Sequence, residues 1–159
     1  MLRVIMDGQN ELTFVRDQQI FTQDTRPDGV YIVKDGLVKI YHTIEQDGHL
    51  VDVELGRVGP HGIFGEMGII DHQPRSASAK ALGPTTVVFV SKEDFRRHLE
   101  QLPPWISILI KTFVSRLREA NDRLYEALEK GSAGSDTLRI QPHDDVILGE
   151  GDTKSIPRE

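Results

Sequence analysis

Between Leu12 and Val90 the apolar residues come in short runs broken at close intervals by turn signals, and a chain patterned this way cannot build its core from long helices. In VYIVKDGLVKIY, Val30 and Ile32 precede Asp35-Gly36 and Leu37, Val38 and Ile40 follow it, which predicts two strands around a tight turn, a first hairpin. In YHTIEQDGHLVDVEL, Asp47-Gly48 separates Ile44 from the alternating Val51, Val53 and Leu55, with Asp52 and Glu54 on the opposite face, a second hairpin. TTVVFV reads as a buried strand rich in β-branched residues. Many short strands with regular turns predict a sandwich or a roll closed on itself.

The pattern changes at Ser91. Ser91-Lys92-Glu93-Asp94 resembles a capping box, so a helix is expected to run from there to about Gln101, where Pro103 and Pro104 break it and open a second, longer one. In that helix Ile106, Ile110, Phe113, Leu117, Ala120, Leu124 and Leu128 form one stripe, expected to be core first, with a homodimer seam through 104–128 as the alternative. Gly131 can end it. GSAGSD then has the composition of a flexible linker, and the acidic remainder holds one apolar run, Val146 to Leu148. Laid on the first strands, this end sets Phe14 against Ile140, Ile20 against Val146 and Phe21 against Ile147, a faint echo that reads as an edge strand or a disordered tail. The expected division is a domain over 1–130 and a linker with an acidic tail over 131–159.

A chain of 159 residues holds one domain of ordinary size. No apolar run reaches bilayer-spanning length, the first ten residues are too poor in apolar side chains for a secretory signal, and there is no cysteine, so a cytoplasmic protein without membrane association is expected. The net charge of −6 argues against broad phosphate-backbone binding. Arg96, Arg97, His98, Lys111, Arg116 and Arg118 fall on the predicted helices and read as solvated faces. Six histidines are present without a His-x-His or a His-Glu-x-x-His, and there is no Gly-x-Ser-x-Gly elbow or Walker loop, so neither a metal site nor catalysis is expected.

The stretch FGEMGIIDHQPRSA, Phe64 to Ala77, carries the chemistry. Gly65 and Gly68 let a ligand approach the backbone, and if Glu66 to Ile69 form one helical turn their free N–H groups face whatever anion sits there. Arg75 supplies a fork that matches two oxygens of one phosphate or carboxylate, and Ser76 adds a hydroxyl. A buried Glu66 then needs a donor of its own, which a sugar hydroxyl beside the phosphate would provide. Taken alone, Glu66 and Arg75 would read as a structural ion pair tying a loop to the sheet.

FGEMGI, four residues and PRSA resemble, position by position, the phosphate-binding cassette of the cyclic-nucleotide-binding domains of catabolite activator proteins, cyclic-nucleotide-dependent kinases and gated channels. IFTQD followed by VYIVKDGLVKI, with Tyr31 and Gly36, is similar to that family's first hairpin, and the likeness spans about Leu12 to Leu128. It implies a mainly β fold with flanking helices, a β-roll (jelly-roll, double-stranded β-helix) followed by a short and a long C-terminal helix. It also implies a non-catalytic regulatory sensor for cAMP, or less favoured cGMP, that reports to an unknown downstream protein. Glu66 would accept from the ribose 2′-hydroxyl, Arg75 would bind the cyclic phosphate and Ser76 would touch phosphate or base. Backbone around Gly65, Met67 and Gly68 would line the pocket between Phe64 and Ala77, and the long helix, near Arg116, Ala120, Asn121 and Leu124, would cover the base. Met67 and Gly68 replace the family's commoner Leu and Ala, its leading helix is nearly absent, and the residues after Leu128 are too few and too acidic for a helix-turn-helix, so direct DNA binding is not expected. The competing reading is a protein-interaction scaffold of the same fold that has lost its nucleotide.

Overall fold

The computed structural model describes residues 10–46 and 48–130. Eight strands occur among them: β1 (Glu11–Phe14), β2 (Gln19–Phe21), β3 (Gly29–Asp35), β4 (Val38–Gln46), β5 (His49–Val58), β6 (Ile63–Phe64), β7 (Ser78–Ala81) and β8 (Thr85–Ser91). A four-residue helix α1 (Met67–Ile70) lies between β6 and β7, and α2 (Lys92–Glu100) and α3 (Pro104–Glu129) follow β8. The strands form two four-stranded antiparallel sheets, in the orders β1-β8-β3-β6 and β2-β7-β4-β5. This is the β-roll with a short and a long C-terminal helix that the sequence implied.

One expected hairpin is not a hairpin. β3 pairs with β8 and β6 while β4 pairs with β5 and β7, so the Asp35-Gly36 turn carries the chain from one sheet into the other. Gly36 makes this corner possible: its φ is +93°, and a Cβ there would stand 2.5 Å from Thr85 Oγ1 and 2.6 Å from the Pro84 carbonyl oxygen. The corner is tied down by Leu82 N–H donating to the Leu37 carbonyl at 2.8 Å. The second hairpin has the expected register, with Gln46 opposite His49.

The core lies between the sheets. Tyr31, Val33, Phe64 and Val87 from one sheet meet Val38 and Ala79 from the other, with Phe14, Ile20, Phe21, Ile40, Val58 and Phe89 packed around them. Tyr31 is the hub of an aromatic cluster, its ring centroid 5.6 Å from that of Phe21, 5.3 Å from Phe64 and 5.2 Å from Phe89. β3 is buried continuously from Gly29 to Val33 rather than alternately, because α2 covers its outer face.

The serine cap at α2 forms as expected: Ser91 Oγ accepts the Asp94 N–H at 3.1 Å, while the Asp94 carboxylate accepts the Ser91 hydroxyl at 2.7 Å. The stripe on α3 is core only in part: Ile106, Ile110, Leu124 and Leu128 are half-buried, and its middle is exposed. The helix buries Val114 and Tyr125, while Phe113 is 58% and Leu117 49% exposed. The face toward the domain adjoins the stripe, shares Ile110 with it, and continues through Val114, Arg118, Asn121 and Tyr125. Arg118 is therefore not on a solvated face: its Nε donates to Asp71 Oδ2 at 2.6 Å, with both side chains largely covered. No helix among the described residues is long and apolar enough to cross a membrane.

Candidate functional site

The segment from Gly65 to Ala77 bridges the two sheets, leaving β6 of one and entering β7 of the other. Gly65 must turn with φ +79°, and a Cβ on it would lie 2.5 Å from Arg75 Nη1 and 3.1 Å from the Phe21 ring. Its lack of a side chain is what lets the guanidinium pass beneath the backbone. Glu66 caps α1 through its carbonyl, which accepts the N–H groups of Ile69 and Ile70, each at 3.1 Å. Arg75 is held at its own backbone, donating N–H to the Thr25 carbonyl and accepting from Asp24 N–H, both at 2.9 Å.

Arg75 is 2% exposed. Its Nη2 donates to Asp28 Oδ1 and to the Gly29 carbonyl, each at 2.8 Å, and its Nη1 donates to the Gly65 carbonyl. The guanidinium lies 4.1 Å above the Phe21 ring centroid and 5.7 Å from that of Tyr31. Of its five N–H groups, Nε–H and one hydrogen of Nη1 remain, and Nε is buried without a partner among the described residues. Arg75 and Glu66 are not bonded to each other; the carboxylate paired with the arginine is Asp28. Tyr31 shares that acid, with its hydroxyl 3.4 Å from Asp28 Oδ1, and burial, followed by the Asp28 charge, pushes the phenol up to about 12.

Beside Arg75 is a cavity of about 170 Å³. Its lining includes Phe64, Gly65, Glu66, Met67, Gly68, Arg75, Ser76 and Ala77, with Phe21, Ile40, Val58 and Ile63 making the apolar remainder. Eight of the nine residues expected to bind ligand thus share one wall. The ninth, Asn121, is on α3 and is not part of the lining. Ser76 Oγ makes a long 3.5 Å contact to Met67 Sδ and has no other hydrogen-bond partner among the described residues.

No neighbouring side chain among the described residues donates to the Glu66 carboxylate. Burial pushes its carboxyl above the ordinary range, opposed by its own backbone N–H and by Arg75. The folded chain therefore holds this proton more tightly than the unfolded one. The group's contribution to stability is complete below the ordinary glutamate range and is lost as pH rises through the raised value. Glu66→Gln, which removes the buried charge, is expected to raise the neutral-pH melting temperature by about 2 °C. A melting temperature that falls in the variant would show that the charge is instead stabilised where it sits.

Two contacts missed in the sequence reading fasten α3 to this segment. Arg118 bonds Asp71, directly after α1, and its Nη2 donates to the Pro74 carbonyl at 3.3 Å. The Tyr125 ring lies flat on His42 of β4, with centroids 3.7 Å apart and planes within 6°, and His42 Nδ1 is 3.0 Å from the Ser76 carbonyl. The helix thus grips the cassette on either side of Arg75. Burial, followed by Asp122, pushes the Tyr125 phenol up to about 12. Neither Asp28, 47 positions from Arg75, nor His42 carries a local signal in the sequence.

Comparison with known proteins identifies the family. The sequence model of the cyclic nucleotide-binding domain matches residues 11–101. The chain is 33% identical over 110 residues to the cyclic AMP receptor protein of Thermus thermophilus, covering 68% of this chain and 49% of that one. It is 29% identical over 121 residues to the cAMP-dependent protein kinase type II regulatory subunit of Drosophila melanogaster, covering 70% and 31%. It therefore spans half or less of the length of these curated relatives. Among solved structures, an EAL enzyme in its cAMP-bound form superposes with a TM-score of 0.64 at 30% identity, over 77% of this chain and 31% of that one. With the family match covering more than half of the sequence, the chain belongs to the cyclic nucleotide-binding domain family.

Proposed function

We propose that the cavity beside Arg75 binds a purine cyclic mononucleotide, cAMP in preference to cGMP, and that the chain is a regulatory sensor with no catalysis of its own. The observation that carries this reading is one cavity lined both by Glu66, to whose carboxylate no side chain among the described residues donates, and by Arg75, whose Nε is buried without a partner among them. An anion next to a hydroxyl satisfies both, and a cyclised ribose phosphate has that order of groups. The relatives named above for cAMP support the choice of nucleotide, although the EAL enzyme is also solved with cGMP bound. Titration calorimetry with both nucleotides tests the reading: saturable one-to-one binding with the tighter affinity for cAMP is expected. Glu66→Gln, which keeps an acceptor but loses its charge, should bind on the order of tenfold more weakly. Absence of binding by either nucleotide would assign the chain to the protein-only scaffold instead.

The long helix is the output element in this scheme. Through Arg118–Asp71 and Tyr125–His42–Ser76 it is fastened to the segment a ligand would rearrange, so ligand and helix position bias one another. Hydrogen exchange along 104–129 should change on saturation with cAMP; identical protection would remove the relay. The downstream partner is taken to be a protein, not DNA, in keeping with the net charge of −6. The functional unit is placed at 1–130, and the linker and acidic tail assigned to 131–159 lie outside the described residues.

The exposed middle of the stripe on α3, Phe113 and Leu117, together with the neighbouring Trp105 and Leu109, each more than 40% exposed, is the surface for a homodimer through 104–128. Phe113→Asp is expected to halve the mass measured by light scattering without lowering the melting temperature of the monomer. A wild-type protein that is already monomeric at high concentration would end the dimer proposal.

A further inference from the structure

A second cavity, of about 110 Å³, lies on the far side of α1, where α1, α2 and α3 meet. Its inner walls are aliphatic: Ile69 and Ile70 from α1, both buried, Leu99 from α2 and Ile110 from α3. Its mouth is charged. Arg96 and Lys111 enter it from α2 and α3, beside His72, with Glu100 the one acid in the lining. Among the described residues the ion pairs of these two helices use Arg97, Arg118, Arg123 and Lys130, which leaves Arg96 and Lys111 uncommitted. The two cationic side chains thus stand at the entrance of an apolar hole, an arrangement the cassette cavity does not need.

We propose that this cavity is a second binding site, for a small aliphatic monocarboxylate. Size and polarity set the class. A cavity of roughly 150 Å³ lined by Leu, Ile and Phe holds a six-carbon ring, so about 110 Å³ holds a chain of about five carbons and excludes a nucleobase with its sugar. The chain lies against Ile69, Ile70, Leu99 and Ile110, and the carboxylate emerges at Arg96 and Lys111. The guanidinium offers it a two-pronged donor and Glu100 repels it toward the cations. A neutral ligand of the same shape gains the apolar contact alone. α1 is the partition between the two cavities, since Met67 and Gly68 line the cassette side and Ile69 and Ile70 line this one. An occupant therefore presses on the back of the cassette, whether or not a nucleotide binds there.

Hexanoate is the probe, followed by methyl resonances of Ile69, Ile70, Leu99 and Ile110 in the full chain. Saturable shifts confined to those methyls are expected, with hexan-1-ol binding about tenfold more weakly because it lacks the charge. Arg96→Glu combined with Lys111→Glu, both exposed and outside the cassette, should leave the fold intact and bring hexanoate down to the level of the alcohol. Equal affinity for acid and alcohol, unchanged hexanoate binding in the double variant, or shifts centred on Phe113 and Leu117 would each overturn the proposal.

Discussion

Arg75→Ala is expected to weaken cAMP binding by about 2 to 3 kcal/mol, roughly 30- to 150-fold, and to destabilise the unliganded fold as well. The two losses have different origins. Binding falls because the variant lacks the Nε hydrogen, which has no partner among the described residues, and the second Nη1 hydrogen. Stability falls because the Gly29 and Gly65 carbonyls lose their donor and the Phe21 ring loses the cation above it. Asp28 limits the damage: its side chain is 67% exposed, so the carboxylate left behind stays hydrated, and a cost of about 2 to 3 kcal/mol is expected instead of the larger one for stranding a buried charge. Calorimetry and urea denaturation measure the two separately. Arg75→Lys separates them further, since an ammonium keeps the charge but not the fork, and should recover more stability than affinity. Wild-type affinity in Arg75→Ala, with the fold intact, would remove the arginine from the site.

Gly36→Ala is expected to be costlier to the fold and silent at the site. The left-handed backbone costs an alanine about 1 kcal/mol or more, and its methyl would sit within 2.6 Å of both Thr85 Oγ1 and the Pro84 carbonyl. Relieving that contact means moving the β7–β8 turn, at a typical overpacking cost of about 1 to 3 kcal/mol. The sum is about 3 kcal/mol, or a fall of roughly 10 °C in melting temperature. Gly48→Ala is the control. Gly48 has a similar φ of +76° but no atom within 4 Å of a built Cβ, so only the conformational part applies. Equal losses at the two positions would show that the Gly36 corner is not sterically fixed. Nucleotide affinity, measured well below the transition, should be unchanged in both.

Strands, both C-terminal helices, the α2 cap and the wall of the cavity were legible in the sequence because each is written in contiguous residues. Fourteen consecutive positions hold the glycines, the acid, the arginine and the serine that the fold brings to one cavity. What was not legible depends on partners remote in the chain. An Asp-Gly pair signals that the backbone reverses but not which strands then exchange hydrogen bonds, so the Gly36 corner read as a hairpin. Hydropathy on α3 picked Ile110 correctly but also the exposed Phe113 and Leu117, whereas much of the helix's hold comes from Arg118 and Tyr125, through an ion pair and a ring stack that leave no apolar signature. A buried arginine demands an acid, but nothing near Pro74-Arg75 pointed to Asp28.

The two outermost pairings, β1 with β8 and β2 with β7, are nested, first with last and second with next to last. The second sheet cannot be completed until Ser78–Ala81 is available, nor the first until Thr85–Ser91 is, so a chain emerging from the ribosome carries most of its aromatic core exposed until that last segment is released. Pairings this distant in sequence favour slow, late folding. Fragments ending before β8 would be handed to chaperones as open hydrophobic surface, and the domain would appear all at once, with no stable half.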